Sequence, residues 1–513
     1  MTVSIDTAAA AALARDLDAA DYRTDAVRAA WGDLPDRAIG QGLRGPALAA
    51  LEGRTDPLAV VCRLLGVGAA ASVAEVEAAF PACGVAGLIA LDLVQVAGEV
   101  VVATALVRPQ AFADGRGEVE WWIASDLDEA ALGGELAPDH VLGVGGASLT
   151  LASLQLPAAA ASVLDIGTGC GIQALRARRY ADRVVATDVS SRALRFAALN
   201  AALAGDVAVE LRAGSLFEPV AGEQFDRVVS NPPFVITPRV AGVPAYEYRD
   251  AGFAGDDLVA AVVRGVGEVL TPGGVAQLLG NWEYRDGEDG LERVRAWVAA
   301  SPVPLDAWIV EREQLDPLAY AQLWVRDGGS APGGDDYARL VGAWLDDFAD
   351  RGVTAVGFGY LLLRRATGVP TLARYERMPQ PIDHALGPHL AASLAAHDRL
   401  AALTDAQLAA SVLHVAPDVT DARHHRPGEE APTVIELRQG AGFQRALVVD
   451  PGLAALVGAC DGDLAVGVLV AAIADLLEVD PDALAADLLP RVRELVVTGF
   501  LGFDGPEPAD PAG

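Results

Sequence analysis

The feature that most constrains the fold is a short apolar run broken by an acid and followed by three glycines at alternate positions, VLDIGTGCG over residues 163–171. Ser162 to Ile166 suits a buried parallel strand, and the glycines permit a tight turn whose backbone a ligand can touch. Ile172 to Tyr180 then reads as a helix. A strand, glycine turn and helix bring backbone N–H groups and a helix N-terminus to the carboxyl end of a sheet, where open α/β folds bind ligands. Asp188 closes the next strand, VVATD, about twenty residues after the first glycine, where a carboxylate can accept both ribose hydroxyls.

Glycine spacing separates two cofactor classes. The dinucleotide fingerprint is G-x-G-x-x-G, but here the third glycine comes one residue early and Ile172 stands where glycine is wanted, which disfavours a pyrophosphate. A second motif follows. Phe225 to Ser230 is another buried strand, and Asn231-Pro232-Pro233-Phe234 stands at its carboxyl tip, beside the glycine loop of a doubly wound sheet. A base amine or side-chain amide is a poor nucleophile because its nitrogen lone pair is delocalised. The Asn231 side-chain oxygen and the Pro232 carbonyl can take its two N–H groups, and Phe234 offers a face for a planar group. Alone, a glycine turn is most often a turn, and Asn-Pro-Pro a strand exit. Their occurrence in order, on the expected elements, is much rarer.

Asp165-x-Gly-x-Gly-x-Gly resembles the first motif of class I S-adenosylmethionine-dependent methyltransferases, and the likeness continues through Asp188 and the helix RALRFAALNAALAG. The resemblance implies S-adenosyl-L-methionine as cofactor, with Asp165 reaching toward its amino acid end and Gly167, Thr168, Gly169, Gly171, Asp188, Val189 and Asn231 around it. VAVELRAG is the expected third strand, with Ser215 and Leu216 at its tip near the adenine; many members of the family have Asp where Ser215 stands. The tetrapeptide 231–234 resembles the N-P-P-[FYW] motif of methyltransferases acting on adenine N6, guanine N2 or glutamine amide nitrogen, which makes Asn231, Pro232, Pro233 and Phe234 the expected catalytic set. The following segment, VITPRVAGVPAYEYRDAGFAGDDLVAAVV, resembles the substrate-covering loop of glutamine methyltransferases of the HemK type and of related base methyltransferases. Tyr246, Tyr248 and Arg249 are its expected substrate contacts.

The chain of 513 residues is too long for one ordinary core. Residues 1–140 read as a helical, winged-helix-like domain that braces its neighbour. Ser72 is the N-cap of VAEVEAAF, LDLVQVAGEVVVATALVRP forms two strands, and EVEWWIASD forms a third, on which at least one of Trp121 and Trp122 packs inside. Residues 141–366 form the α/β domain, a mostly parallel seven-stranded Rossmann-like sheet ending in DAWIVERE and TAVGFGYLLLRR. Residues 367–385 read as a linker and 386–505 as a second winged-helix-like domain resembling the PqqD type. The tail, 506–513, reads as disordered.

Four scattered cysteines fit a reducing cytoplasm, and no apolar run is long enough to span a bilayer. All seven histidines lie outside 141–383, so the central domain has no histidine for a triad, a metal or a general base. No metal is expected. The net charge of −32 weighs against loose nucleic-acid binding. Arg176, Arg178, Arg179 and Arg183 read as a solvated helix face. The function expected is methyl transfer to a planar nitrogen. A nucleobase amine stands slightly ahead, RNA before DNA, with a protein glutamine second. A non-catalytic cofactor-binding or scaffold protein is the alternative of another class.

Overall fold

The computed structural model describes residues 5–133, 136–205, 208–240, 242–243, 252–330, 332–382 and 385–503. The chain divides into two compact units, Met1–Ala152 with Ala159–Arg377, and Ser153–Ala158 with Met378–Gly513.

The first unit opens with α1 (Thr7–Ala19), capped by the Asp6 carboxylate. After several short helices come β1 (Ala71–Ser72), α2 (Val73–Ala79), α3 (Gly84–Ala90) and the hairpin β2 (Val94–Ala97) and β3 (Val100–Ala103), in a three-stranded sheet of order β1-β3-β2. The succession here is helix, strand, two helices and hairpin. Ser72 and Glu75 close a reciprocal capping box at the start of α2, which satisfies two otherwise orphaned donors. Where two strands were expected over LDLVQVAGEVVVATALVRP there are three. Thr104 leaves the hairpin, its N–H on Leu93 O (2.9 Å) and its hydroxyl on Asp92 O (2.8 Å), and the chain restarts as β4 (Ala105–Asp114), paired with β5 (Gly117–Asp126).

Both tryptophans of β5 are buried, because this hairpin is covered on two faces. Trp122 donates its indole N–H to Tyr22 O (2.6 Å), while Trp121 lies 5.5 Å from Phe112. A single core then joins Leu13, Val61 and Trp122 to Ile172, Leu175 and Phe196 of the next domain. Two of the four arginines expected on a solvated face, Arg176 and Arg179, instead clasp this join. Asp114 accepts Arg176 at 2.9 Å and Arg179 at 2.7 and 2.6 Å, and Arg176 is only 5% exposed. A buried charge needs such a partner.

The central sheet takes β6 (Ala160–Ile166), β7 (Ala181–Asp188), β8 (Val209–Ala213), β9 (Phe225–Ser230), β10 (Leu270–Arg285), β11 (Leu305–Leu315), β12 (Val353–Arg365) and β13 (Ala373–Arg377), in the order β13-β11-β12-β10-β9-β6-β7-β8. Strands β6 to β10 run parallel, and β12 is antiparallel to both β10 and β11. This is the expected doubly wound sheet with one strand more. Successive residues point to opposite faces: Val163 and Val184 join one core, Leu164 and Val185 another. The eighth strand lies inside the stretch expected as a linker. The buried Asp306 carboxylate accepts the N–H groups of Thr371 (2.7 Å) and Leu372 (2.9 Å), and so steers the chain parallel to β11.

Helices α4 (Ile172–Arg178), α5 (Ser191–Leu203) and α6 (Asp257–Gly265) follow strand tips of the sheet or the loops beyond them. Between β11 and β12 the chain inserts α7 (Pro317–Asp327) and α8 (Asp335–Asp350), which the sequence reading left undescribed. Their apolar stripe of Tyr320, Val341, Trp344 and Phe348 packs with Ile236, Val353 and Val356.

The second unit holds two three-stranded sheets. One pairs β14 (Val412–Val415) with β18 (Asp461–Ala465) and β19 (Leu501–Phe503); the other is β15 (Val419–His424), β16 (Val434–Gln439) and β17 (Ala446–Val449). Leu453, Val466, Leu488, Val492 and Phe500 form its core. Among the described residues no His, Cys, Asp and Glu side chains gather as a metal site. No single helix among them is long and apolar enough to cross a membrane.

Candidate functional site

Four adjacent strand tips, those of β8, β7, β6 and β9, make the site. Gly167, Gly169 and Gly171 take φ values of 67°, 54° and 85°, conformations that favour glycine. A Cβ added at Gly167 or Gly169 would meet nothing within 4 Å, so both border open space. At Gly171 it would stand 3.1 Å from Ala197 of α5, so this glycine serves helix packing. The loop is fixed from the neighbouring tip: Thr168 N–H donates to Thr187 O (2.9 Å) and Gly169 N–H to Asp188 Oδ2 (2.9 Å). The other oxygen of Asp188 accepts Ser190 N–H (2.9 Å). Gly214 N–H donates to Asp188 O (3.0 Å), which carries Ser215 and Leu216 alongside. Val189, just past Asp188, is an exposed apolar side chain.

Asp165 is almost fully buried. Its Oδ2 accepts the Thr168 hydroxyl (2.6 Å), while its Oδ1 has no hydrogen-bond partner. Burial pushes its carboxyl up to about 7, against the lowering effect of the Thr168 hydroxyl and the Ala174 N–H and with the nearby Asp188 charge adding to the rise. An ammonium group placed against Oδ1 would satisfy that acceptor and restore the carboxylate. The residues therefore fit S-adenosylmethionine: Asp165 for its amino group, the open glycine turn for its chain, Asp188 for its ribose and the 215–216 tip for its base.

On the other side, Ile166 pairs with Ser230 in parallel register, and the Ser230 hydroxyl donates to Ile166 O (2.8 Å). This lashes the tip carrying Asn231 to the start of the glycine loop. Asn231 Oδ1 is buried and, among the described residues, accepts no hydrogen bond. Phe234 is partly buried and packs edge-on against Phe358 of β12, with ring centroids 6.4 Å apart. The segment after Phe234 is tied on both sides of the stretch 244–251: Arg239 donates to Phe253 O (2.6 Å), and Arg339 to Gly242 O (2.8 Å). Beyond Phe253, the fully buried Asp256 accepts two bonds from Arg293 (2.7 Å each). Tyr246, Tyr248 and Arg249 lie outside the described residues.

The structure thus brings together Asp165, the glycines, Asp188, Ser215 and Asn231, and it adds residues that sequence reasoning missed. Asn200 of α5 donates to Cys170 O (2.7 Å) and Ala124 O (2.9 Å) and accepts Ala124 N–H (2.7 Å), which bonds the glycine loop to β5 of the N-terminal region. Tyr320 and Trp344 hold the chain just past Phe234. A polar residue in the middle of an apolar helix was the one signal for Asn200, and helical spacing over Leu340, Val341, Trp344 and Phe348 the signal for the insertion.

Residues 144–242 match the family described as Methyltransferase small domain. Residues 19–104 and 393–502 match two domains of unknown function, DUF7059 and DUF7782. The ribosomal protein uL3 glutamine methyltransferase of Bradyrhizobium diazoefficiens is 36% identical over 151 residues, 28% of this chain and 46% of that protein. The release factor glutamine methyltransferase of Geobacter sulfurreducens is 39% identical over 124 residues, 22% of this chain and 43% of that one. That of Cereibacter sphaeroides is 40% identical over 125 residues, 22% and 44%. The chain spans somewhat under half the length of these curated relatives. With the glycine loop, Asp188 and the NPPF tip on neighbouring strands, the stretch 144–242 is a methyltransferase small domain, similar in sequence to glutamine methyltransferases.

Proposed function

We propose that this protein transfers a methyl group to a planar nitrogen, and that the nitrogen is the side-chain amide of a glutamine in a protein. The observation that carries this reading is the buried, unpartnered Oδ1 of Asn231, held beside the glycine loop by the Ser230 hydroxyl. Burying an acceptor without a partner costs free energy that a bound donor recovers. An amide –NH₂ supplies two donors in one plane, one for Asn231 Oδ1 and one for the Pro232 carbonyl, and Phe234 borders that plane. Held this way, the nitrogen is aimed by geometry, with the reactants brought into line before reaction.

The bound cofactor supplies an electrophilic methyl on a sulfonium. The chain supplies orientation and exclusion of water. No histidine lies in 141–383 to act as base. None is required, because the nitrogen becomes acidic once methylated and its proton can pass to water. Glutamine moves ahead of a nucleobase amine for two reasons. The similar proteins are glutamine methyltransferases, and a net charge of −32 repels a polyanion. A nucleobase remains the second reading, since the N-P-P-F tip serves both.

The test uses tritiated S-adenosylmethionine with three acceptors: purified bacterial release factor, ribosomal protein uL3, and total RNA. Label is expected in protein, released as methylamine on acid hydrolysis because the methyl sits on an amide. Label sensitive to ribonuclease would replace glutamine by a base, and label in no acceptor would overturn methyl transfer.

A further inference from the structure

We infer that Tyr320 and Trp344, on the two helices inserted between β11 and β12, are positioning residues that set the acceptor clamp. This rests on the reading of 231–234 proposed above. Past Ser230 the chain leaves the sheet; the segment through Ile236 is partly buried at Asn231, Pro233 and Phe234 and fully buried at Val235 and Ile236, without a ladder to receive its backbone polar groups. Both groups of Ile236 go to side chains of the insertion. Its N–H donates to Tyr320 Oη (2.9 Å), and its carbonyl accepts the Trp344 indole N–H (2.8 Å). Asn281, fully buried on β10, donates its amide to the same Tyr320 oxygen (2.9 Å) and fixes the hydroxyl from the sheet side.

Tyr320 holds the clamp at a second point. Its ring stacks on Phe358, with centroids 5.5 Å apart and planes 26° apart, and Phe358 packs edge-on against Phe234. Phe234 and Ile236 are two residues apart, and one side chain restrains them both, the first through Phe358 and the second directly. The peptide between them, which fixes the direction of the NPPF exit, has little freedom left. Neither side chain has to touch substrate for this. Displacement of a positioned group by about 1 Å costs rate more than affinity.

Tyr320→Phe deletes the bonds from Ile236 N–H and the Asn281 amide, Trp344→Phe deletes the bond to Ile236 O, and each keeps an aromatic ring, so the core survives. Two readouts are taken on the full chain. In hydrogen exchange, the peptide containing Ile236 should lose protection by about tenfold or more in Tyr320→Phe, as expected for removal of one buried hydrogen bond. In single-turnover methylation of purified release factor, the rate should fall about tenfold in each variant, while the affinity for S-adenosylhomocysteine and the KM for release factor stay within about twofold. Unchanged exchange at Ile236, or an unchanged rate with lost protection, overturns the proposal; so does a rate loss matched by an equal loss of cofactor affinity. Should the wild type methylate no acceptor, the functional reading fails separately. The exchange result then decides alone whether Tyr320 restrains the segment, an Ile236 amide unprotected in the wild type sinking it.

Discussion

On the β6–β7–β8 side of Ile166, the glycine loop, Asp188 and Ser215 are tied to one another by hydrogen bonds between neighbouring strand tips, spanning nineteen residues in the case of Asp188 and Gly169. On the β9–β10 side, Asn231 and Phe234 owe their placement to side chains far along the chain: Tyr320 and Trp344 reach Ile236 from 84 and 108 residues away. The cofactor half is the more local of the two, built from three strands that follow one another in the chain, β6, β7 and β8. The acceptor half is finished only when an inserted helical pair docks. Damage should therefore separate along the same line, with cofactor affinity answering to the first set of residues and turnover to the second.

The largest effect is expected from Asn231→Ala, which removes the unpartnered acceptor at a strand tip. Its turnover should fall by about two to three orders of magnitude while S-adenosylhomocysteine binding, measured by calorimetry, holds. Equal loss of both would merge the two halves. Asp188→Ala is the mirror experiment. It removes the carboxylate expected on the ribose and the brace on Gly169 N–H, and should weaken cofactor binding by about 1.5–3 kcal/mol. An unaltered affinity would place the cofactor elsewhere.

Asn200→Ala tests how far the N-terminal region belongs to the cofactor half. The substitution leaves the Ala124 N–H and the Cys170 and Ala124 carbonyls without their buried partner. Stability should drop by about 1–3 kcal/mol, seen as a lower Tm, and the cofactor should recover part of it by binding the native loop. A Tm unchanged within error would show that the bond between β5 and the loop carries no weight.

A further effect is a pH dependence. Burial raises Asp165 to about 7 from an ordinary value of 3.8, so the native chain holds a proton there that the unfolded chain has lost. This contribution to stability is complete below about pH 4 and disappears as pH climbs through 7. The Tm of wild type should fall over that window relative to Asp165→Asn, and saturating S-adenosylhomocysteine should flatten the difference, because its ammonium favours the carboxylate. Parallel curves for the two proteins would show that Asp165 is not raised, and a difference that survives saturating S-adenosylhomocysteine would remove the ammonium partner from Asp165.

The same division governs what was legible beforehand. Alternate glycines after an apolar run admit few conformations, so the turn, its strand and Asp188 could be read directly. NPPF could be read because two prolines cannot continue a ladder. The arginines after the loop read as solvated, since nothing near them in sequence announces Asp114. The strand 373–377 hid in a proline-flanked stretch because its place depends on Asp306, distant in the chain.

By itself, then, the sequence determined the glycine turn, the strand before it and the strand exit at the tip of β9, all products of backbone sterics and hydrophobic period within a few residues. Only the tertiary structure decided that the N-terminal helices and hairpin share a core with the central domain, that Asn200 bonds that hairpin to the glycine loop, and that Tyr320 and Trp344 hold the acceptor clamp. These depend on which buried donors and acceptors meet when distant segments pack, and a buried polar group's partner is set by the fold around it rather than by its neighbours in the chain.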